Sequence, residues 1–369
     1  MERRVNILDG LRVIAILMVL LYHYYSRYSV KGYIEYENID KGIFQYGYLG
    51  VQFFFIISGF VITLTLDKST GFIDFMKRRW IRLWPAMALC SFVTFLIMTI
   101  FDDKGLFVKS QKISNLIFSN SFLSPALINE FTGWDFAYID GAYWSLWVEI
   151  SFYIIVAMLF FINRISLNRN FGILSVFFIV CHYVFISATG KNFLAPIIGD
   201  EIYQFMRKLI GIFNISEYIL WFFLGMQLLQ LYKFKKTKNL IIFTVVFLVQ
   251  TLLLGLKWQT ILFCFISYFV FLIFIYRPAY LAFLGLPFIS KLGIASYAVY
   301  LIHENVGVLA IVKLSEYFGI YNWIIGIFMI IVSFAFGLLS FRYFENPISF
   351  RLKMFFLKSK KNDYKKSTH

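Results

Sequence analysis

The sequence predicts an all-α fold, a polytopic membrane protein of about ten transmembrane helices with both termini in the cytoplasm. Three observations carry this. Apolar runs of 18 or more residues recur along the whole 369-residue chain, and each is long enough to cross a bilayer core. The composition is 60% hydrophobic and only 15% charged, where a soluble domain carries roughly 25% charged residues. Lys and Arg collect in alternate loops, the pattern that sets orientation in a membrane. A large soluble helical protein would need polar helix faces, and most of these runs have none.

Hydropathy places the spans at about 8–28, 46–66, 81–101, 143–162, 171–188, 215–232, 239–256, 259–276, 292–312 and 320–343. One set of connecting segments is basic. It holds Arg3 and Arg4, then Lys68, Lys77, Arg78, Arg79 and Arg82, then Arg164 and Arg169, and later Lys233, Lys235, Lys236 and Lys238. Arg277, Lys291 and the C-terminal cations from Arg351 to Lys366 complete it. The opposite segments hold half of the acids: Glu35, Glu37, Asp40, Asp102, Asp103, Glu130, Asp135, Asp140, Asp200 and Glu201. The positive-inside rule then puts both termini in the cytoplasm, which requires an even number of spans. The first run follows Met1-Glu2-Arg3-Arg4 and has no small-residue cleavage site, so it reads as a retained helix rather than a signal peptide. Residues 1–347 are expected to form one integral membrane domain, and 348–369 a short basic cytoplasmic tail at the membrane surface. The segment 102–142 is the one sizeable loop. Its Trp134, Phe136 and Tyr138, with Tyr143 and Trp144 just beyond, suit either an interfacial belt or a stacking surface for a sugar ring.

The formal charge of +15 would point to nucleic acid in a soluble chain. Here the loop pattern accounts for it, and no nucleic-acid partner is expected. Cys90, Cys181 and Cys264 lie in separate apolar runs, and no two of the four histidines are at metal-ligand spacing. Neither a disulfide framework nor a metal cofactor is expected.

Ionisable groups inside apolar spans are costly and mark candidate sites. Arg12 and His23 share the first span. Their eleven-residue separation leaves a net rotation of only about 20° and a rise of about 16 Å, so both point from one face of the helix. Arg12 falls at the cytosolic end and His23 in the outer half. That spacing suits a CoA-type substrate, with a phosphate-rich head at the cytosolic surface and a flexible arm reaching inward to a base. Arg78, Arg79 and Arg82 sit at the cytosolic entry of the third span. There they could hold phosphate through the planar guanidinium fork or serve only to anchor the helix end. Glu149, a few residues into the fourth span, is expected at the depth of His23, where it could orient the imidazole and stabilise its cation; the alternative is two separate structural polar groups. His303 and Glu304 read as mid-span, either positioning a substrate or making structural contacts. Asp9, three residues before Arg12, is expected to pair with a basic group. Ser58-Gly59 suits close helix packing, and His182 reads as structural.

The sequence resembles the type-three membrane acyltransferases, which include bacterial polysaccharide, lipopolysaccharide and Nod-factor O-acetyltransferases. The resemblance rests on six patterns in order. They are Leu8-Asp9-Gly10-Leu11-Arg12 with His23, Gly50-Val51 leading to Phe54-Phe55-Ile56-Ile57-Ser58-Gly59-Phe60, and Arg78-Arg79-x-x-Arg82-Leu83-x-Pro85. Trp144-Ser145-Leu146-Trp147-Val148-Glu149, Ser296-Tyr297-x-x-Tyr300-Leu301-x-His303 and Glu345-x-Pro347 follow. The resemblance implies an O-acyltransferase in the inner (plasma) membrane. Its donor would be cytosolic acyl-CoA, acetyl-CoA foremost, and its acceptor a cell-surface or lipid-linked glycan. It implies that Arg12, Arg78, Arg79 and Arg82 serve the donor, that His23 is catalytic, and that Glu149 holds the family's carboxylate position. Asp9, Ser58, Trp144, Ser145, Tyr297, His303 and Glu345 are the accompanying substrate-positioning candidates. Only a short basic segment follows Pro347, so the extracytoplasmic hydrolase-like domain of larger relatives is not expected in it. The competing reading is a transporter or flippase of an acylated glycan or lipid. Paired inverted repeats and Gly/Pro-broken helices would favour it, and the sequence shows neither.

Overall fold

The computed structural model describes residues 6–34, 42, 44–318 and 323–357. Arg3, Arg4, Glu35, Glu37, Asp40 and the 358–369 part of the tail lie outside the described residues. Among those described, every regular element is helical. In chain order the helices are α1 (Asn6–Val30), α2 (Gln45–Leu66), α3 (Phe72–Phe101), α4 (Ile113–Ser119), α5 (Pro125–Thr132), α6 (Gly141–Ile162) and α7 (Leu167–Ile186). Then come α8 (Ala188–Ile198), α9 (Asp200–Phe213), α10 (Ile215–Phe234), α11 (Thr237–Leu254) and α12 (Trp258–Tyr276). A short turn at Pro278–Gly285 leads to α13 (Pro287–Ile302), α14 (Asn305–Phe318) and α15 (Trp323–Leu357). Eight of these are long and apolar enough to cross a membrane, and two bent pairs bring the number to ten. The chain is an all-α polytopic membrane protein.

Three expectations about spans change. α3 begins at Phe72, nine residues before the predicted 81, so Arg78, Arg79 and Arg82 lie inside the helix rather than at its entry. The predicted span 292–312 is broken at His303–Glu304, between α13 and α14. Apolar residues continue on both sides of that break, so hydropathy does not register it. The last helix continues through a π-helical turn at Phe341–Glu345 to Leu357, where Ser349 donates to the Ile81 carbonyl of α3 at 3.0 Å.

Lipid tails are as apolar as the helices, so close backbone approach rather than the hydrophobic effect drives association here. α2 and α10 show this. A Cβ at Gly59 would overlap the Phe222 backbone, and one at Gly225 would overlap Ile56 and Phe60. Phe222 then stacks on both Phe55 and Phe152, with ring centroids 4.5 and 4.2 Å apart, which brings α6 to the same centre. The apolar window of α2 is 72% buried, against 11% for α7 and 17% for α11. α2 is therefore central, and α7 and α11 turn most of their surface to lipid.

The 102–142 segment is folded rather than open. Asp102 accepts the N–H groups of Leu106 and Phe107, and Ser110 donates to the Ile139 carbonyl. α5 starts at a Ser124 cap followed by Pro125 and ends at Gly133, whose φ of 71° is left-handed. The aromatic cluster expected here is divided. Phe136 stacks on Phe118, Tyr143 is buried in the core, Trp134 is exposed, and Trp144 borders a cavity.

Candidate active site

Three cavities follow one another through the bundle, as their linings on α1 and α2 show. The first, about 560 Å³, touches Asp9 and Arg12 of α1 and Thr65 and Lys68 of α2. The second, about 110 Å³, touches Arg12, Ser58 and Val51. The third, about 520 Å³, touches Val19, His23 and Arg27 of α1 and Tyr48, Val51 and Gln52 of α2. Arg12, Arg82 and Tyr297 border both the first and the second. Val51 and Tyr300 border both the second and the third. The stripe linking Arg12 to His23 thus runs along a seam of three adjoining cavities, with Arg12 at the first two and His23 at the third.

The first cavity is cationic. Arg12, Arg78, Arg79 and Arg82 all border it, with Lys68 and Lys353. Arg12 donates to Asp9 at 2.8 Å, and Asp9 also accepts from Ser290 at 2.9 Å. Arg78 is paired with Asp74 at 3.0 Å, one helical turn back on α3. Arg79 donates to the Thr65 hydroxyl at 3.2 Å and lies over the Phe75 ring, while its Nε has no hydrogen-bond partner. Neither Arg79 nor Arg82 forms an ion pair among the described residues. Arg79 is half-buried and Arg82 is exposed, and two guanidiniums without an ion pair, side by side on one cavity, favour an anionic ligand. Glu345 borders the same cavity and accepts from Ser340 at 2.7 Å.

The second cavity is a neck. Glu149 accepts there from Ser58 and from Tyr153, each at 2.6 Å. Ser145 and Tyr300 close its far end with a hydroxyl pair 2.7 Å apart, and Tyr300 also donates to the Ala142 carbonyl.

The third cavity holds the imidazoles. His23 Nδ1 is 2.9 Å from the Val19 carbonyl and 3.2 Å from His303 Nε2. His303 Nδ1 is 2.7 Å from the Tyr300 carbonyl. Carbonyl oxygens only accept, so in the neutral rings both Nδ1 atoms carry the proton. His303 Nε2 then accepts from His23, and His23 Nε2 is left with a free lone pair. That atom lies 3.6 Å from Glu304 Oε2. The other carboxylate oxygen accepts from Tyr28 at 2.8 Å and faces Arg27 Nε at 3.6 Å. Gly141 packs directly on the Glu304 carboxylate, where a Cβ would leave too little room. Just outside α6, burial first and Glu304 second push the Asp140 carboxyl well above the usual carboxylate range.

The expected His23–Glu149 pairing is therefore corrected. Glu149 sits one helical turn deeper than Ser145, about 6 Å of rise, and its hydrogen bonds go to Ser58 and Tyr153. The carboxylate at His23 is Glu304, which the break after α13 leaves free to turn towards α1. Sequence reasoning noticed Glu304 as an ionisable mid-span residue but gave it no partner. Tyr28, Arg27 and Tyr300 were missed as members of the cluster, since their proximity to Glu304 and Ser145 is a long-range contact. Of the other candidates, Trp144 borders the third cavity and Ser145 and Tyr297 the second. His303 is placed against His23.

A family profile described as an acyltransferase domain matches residues 5–342. The chain belongs to this acyltransferase family. Over 155 residues it is 34% identical to an O-acetyl transferase of Shigella phage Sf6, covering 42% of this chain and 45% of that protein. Over 159 residues it is 33% identical to a Bacillus subtilis (strain 168) protein provisionally named as a peptidoglycan O-acetyltransferase, covering 41% and 23%. A provisionally named O-acetyltransferase of Staphylococcus aureus (strain COL) is 30% identical over 202 residues, covering 53% and 30%. The chain thus spans less than half the length of each of these acyltransferase relatives. No solved structure matches it.

Proposed function

We propose that this protein is a membrane O-acyltransferase that takes an acyl group, acetyl foremost, from cytosolic acyl-CoA and passes it to a glycan hydroxyl on the opposite side. The observation that carries this reading is the seam itself: cationic at one end, narrow in the middle, and holding an imidazole with a free lone pair beside a carboxylate at the other. The basic end faces the cytosol on the loop charges. Arg79 and Arg82, with Arg12 and Arg78, hold the CoA phosphates. The flexible arm runs through the neck past Glu149 and Tyr300, and the thioester meets the third cavity.

There His23 Nε2 takes the proton of the acceptor hydroxyl as its oxygen attacks the thioester carbonyl. The new ester C–O bond forms and the C–S bond breaks. The departing CoA thiolate receives the proton back from the imidazolium. Glu304, close to Nε2, stabilises that imidazolium while it lasts, and His303 fixes the ring through Nδ1. Family membership and the names of the relatives support the reaction class.

Purified protein in detergent, given acetyl-CoA and a glycan acceptor, tests the reading. His23→Ala should lose roughly 10²–10⁴-fold in kcat, the range of a general base, with the protein still inserted and monodisperse. Wild-type turnover by His23→Ala would overturn the assignment.

A further inference from the structure

Part of the third cavity's lining takes no part in the proton chemistry, yet it is polar. Gln52 of α2, His182 of α7, Ser216 and Glu217 of α10 and Gln250 of α11 all border it. Two of these come from helices that otherwise face lipid. α11 buries only Phe243, Phe247 and Gln250, one stripe at helical spacing, and its polar member sits at the cavity. An amide there is costly unless something engages it. Gln52 is 5% exposed, and its Oε1 has no hydrogen-bond partner. His182, which reads as structural in the sequence, is tied to the Ser216 hydroxyl at 3.2 Å and belongs to this wall.

We propose that Gln52 and Gln250, with the His182–Ser216 pair, form the acceptor's sugar subsite and hold a neutral pyranose ring in the cavity that His23 borders. This rests on the acyltransferase reading above and specifies its acceptor side. Three features select this ligand class. Carboxamides both donate and accept, which matches hydroxyls that do the same. Tyr22, Tyr48 and Trp144 border the same cavity and give flat apolar faces for the C–H face of a sugar ring. The cavity's charged lining is Arg27 with the two carboxylates Glu217 and Glu304, which disfavours a phosphate, in contrast to the arginine-lined first cavity.

The probe is the surface glycan of the source cell, stripped of its esters by mild alkali. Gln52→Leu and Gln250→Leu should each raise the glycan KM about three- to tenfold, the loss expected for one neutral hydrogen bond. The KM for acetyl-CoA should stay within twofold, which also reports that each variant is folded. An unchanged glycan KM in both variants overturns the subsite and leaves the acyltransferase reading standing. Where wild-type protein shows no transfer from acetyl-CoA, saturation-transfer NMR of the same glycan separates the two ideas. Binding to wild type that weakens in Gln52→Leu supports the subsite while the reaction reading fails; absence of binding overturns the subsite.

Discussion

Glu304→Gln isolates the charge beside the proposed base while keeping its shape. Oε2 lies 3.6 Å from His23 Nε2. A full charge pair at that distance is worth about 4.6 kcal/mol at an effective dielectric constant of about 20. Arg27 lies 3.6 Å from the other carboxylate oxygen and offsets part of that field, and the Gln carbonyl keeps a dipole near the ring. Taking about half the full value leaves about 2–3 kcal/mol of imidazolium stabilisation, or roughly 30- to 160-fold in kcat. On the proposed function the donor's head sits at the arginines of the first cavity, away from Glu304, so the KM for acetyl-CoA should change little. Steady-state kinetics with varied acetyl-CoA and saturating glycan give both numbers. A kcat within twofold of wild type would refute the His23–Glu304 couple. So would a loss that lay wholly in the donor KM.

Arg79→Ala and Arg82→Ala should raise the KM for acetyl-CoA tenfold or more with kcat nearly kept, since ground-state binding is what they lose; an unchanged KM in both would remove their role with the donor. Gly225→Leu should lower the melting temperature of the detergent-solubilised protein, because a side chain there collides with the backbone of α2; an unaltered melt would mean that the α2–α10 contact is not what holds the centre. Glu149→Gln should keep its bonds with Ser58 and Tyr153 and so cost less in kcat than Glu304→Gln. The reverse order would restore Glu149 as the main carboxylate.

The spans were legible because each is an apolar run of bilayer length, and that property is local. The stripe joining Arg12 and His23 was legible for the same reason, since both lie on one helix. Depth across different helices was not. Counting residues from the start of the fourth span put Glu149 level with His23, but the offset between helices is set by packing, and the residue reaching that level through Tyr300 is Ser145. His182 looked partnerless because Ser216 lies 34 positions away. The break at His303–Glu304 was hidden by apolar residues on both sides.

That break and the π-helical turn at His23–Arg27 are two departures from regular helix, and they meet. Backbone groups released at membrane depth need partners from the protein, and the site supplies them. Tyr24, inside the π-helical turn, donates to the His303 carbonyl at 3.1 Å. Asp140 accepts the Asn305 N–H at 2.9 Å on the far side of the break. Tyr28, just past the π-helical turn, reaches Glu304 itself. A regular α1 would hold its side chains on one straight stripe. A regular α13–α14 would leave His303 and Glu304 on neighbouring faces about 100° apart, with only one directed at α1. The paired irregularities let both residues converge on His23, one at each ring nitrogen. On this reasoning the π-helical turn and the break are conditions of the proposed chemistry, and Tyr24 and Asp140 act by holding the backbone that presents it.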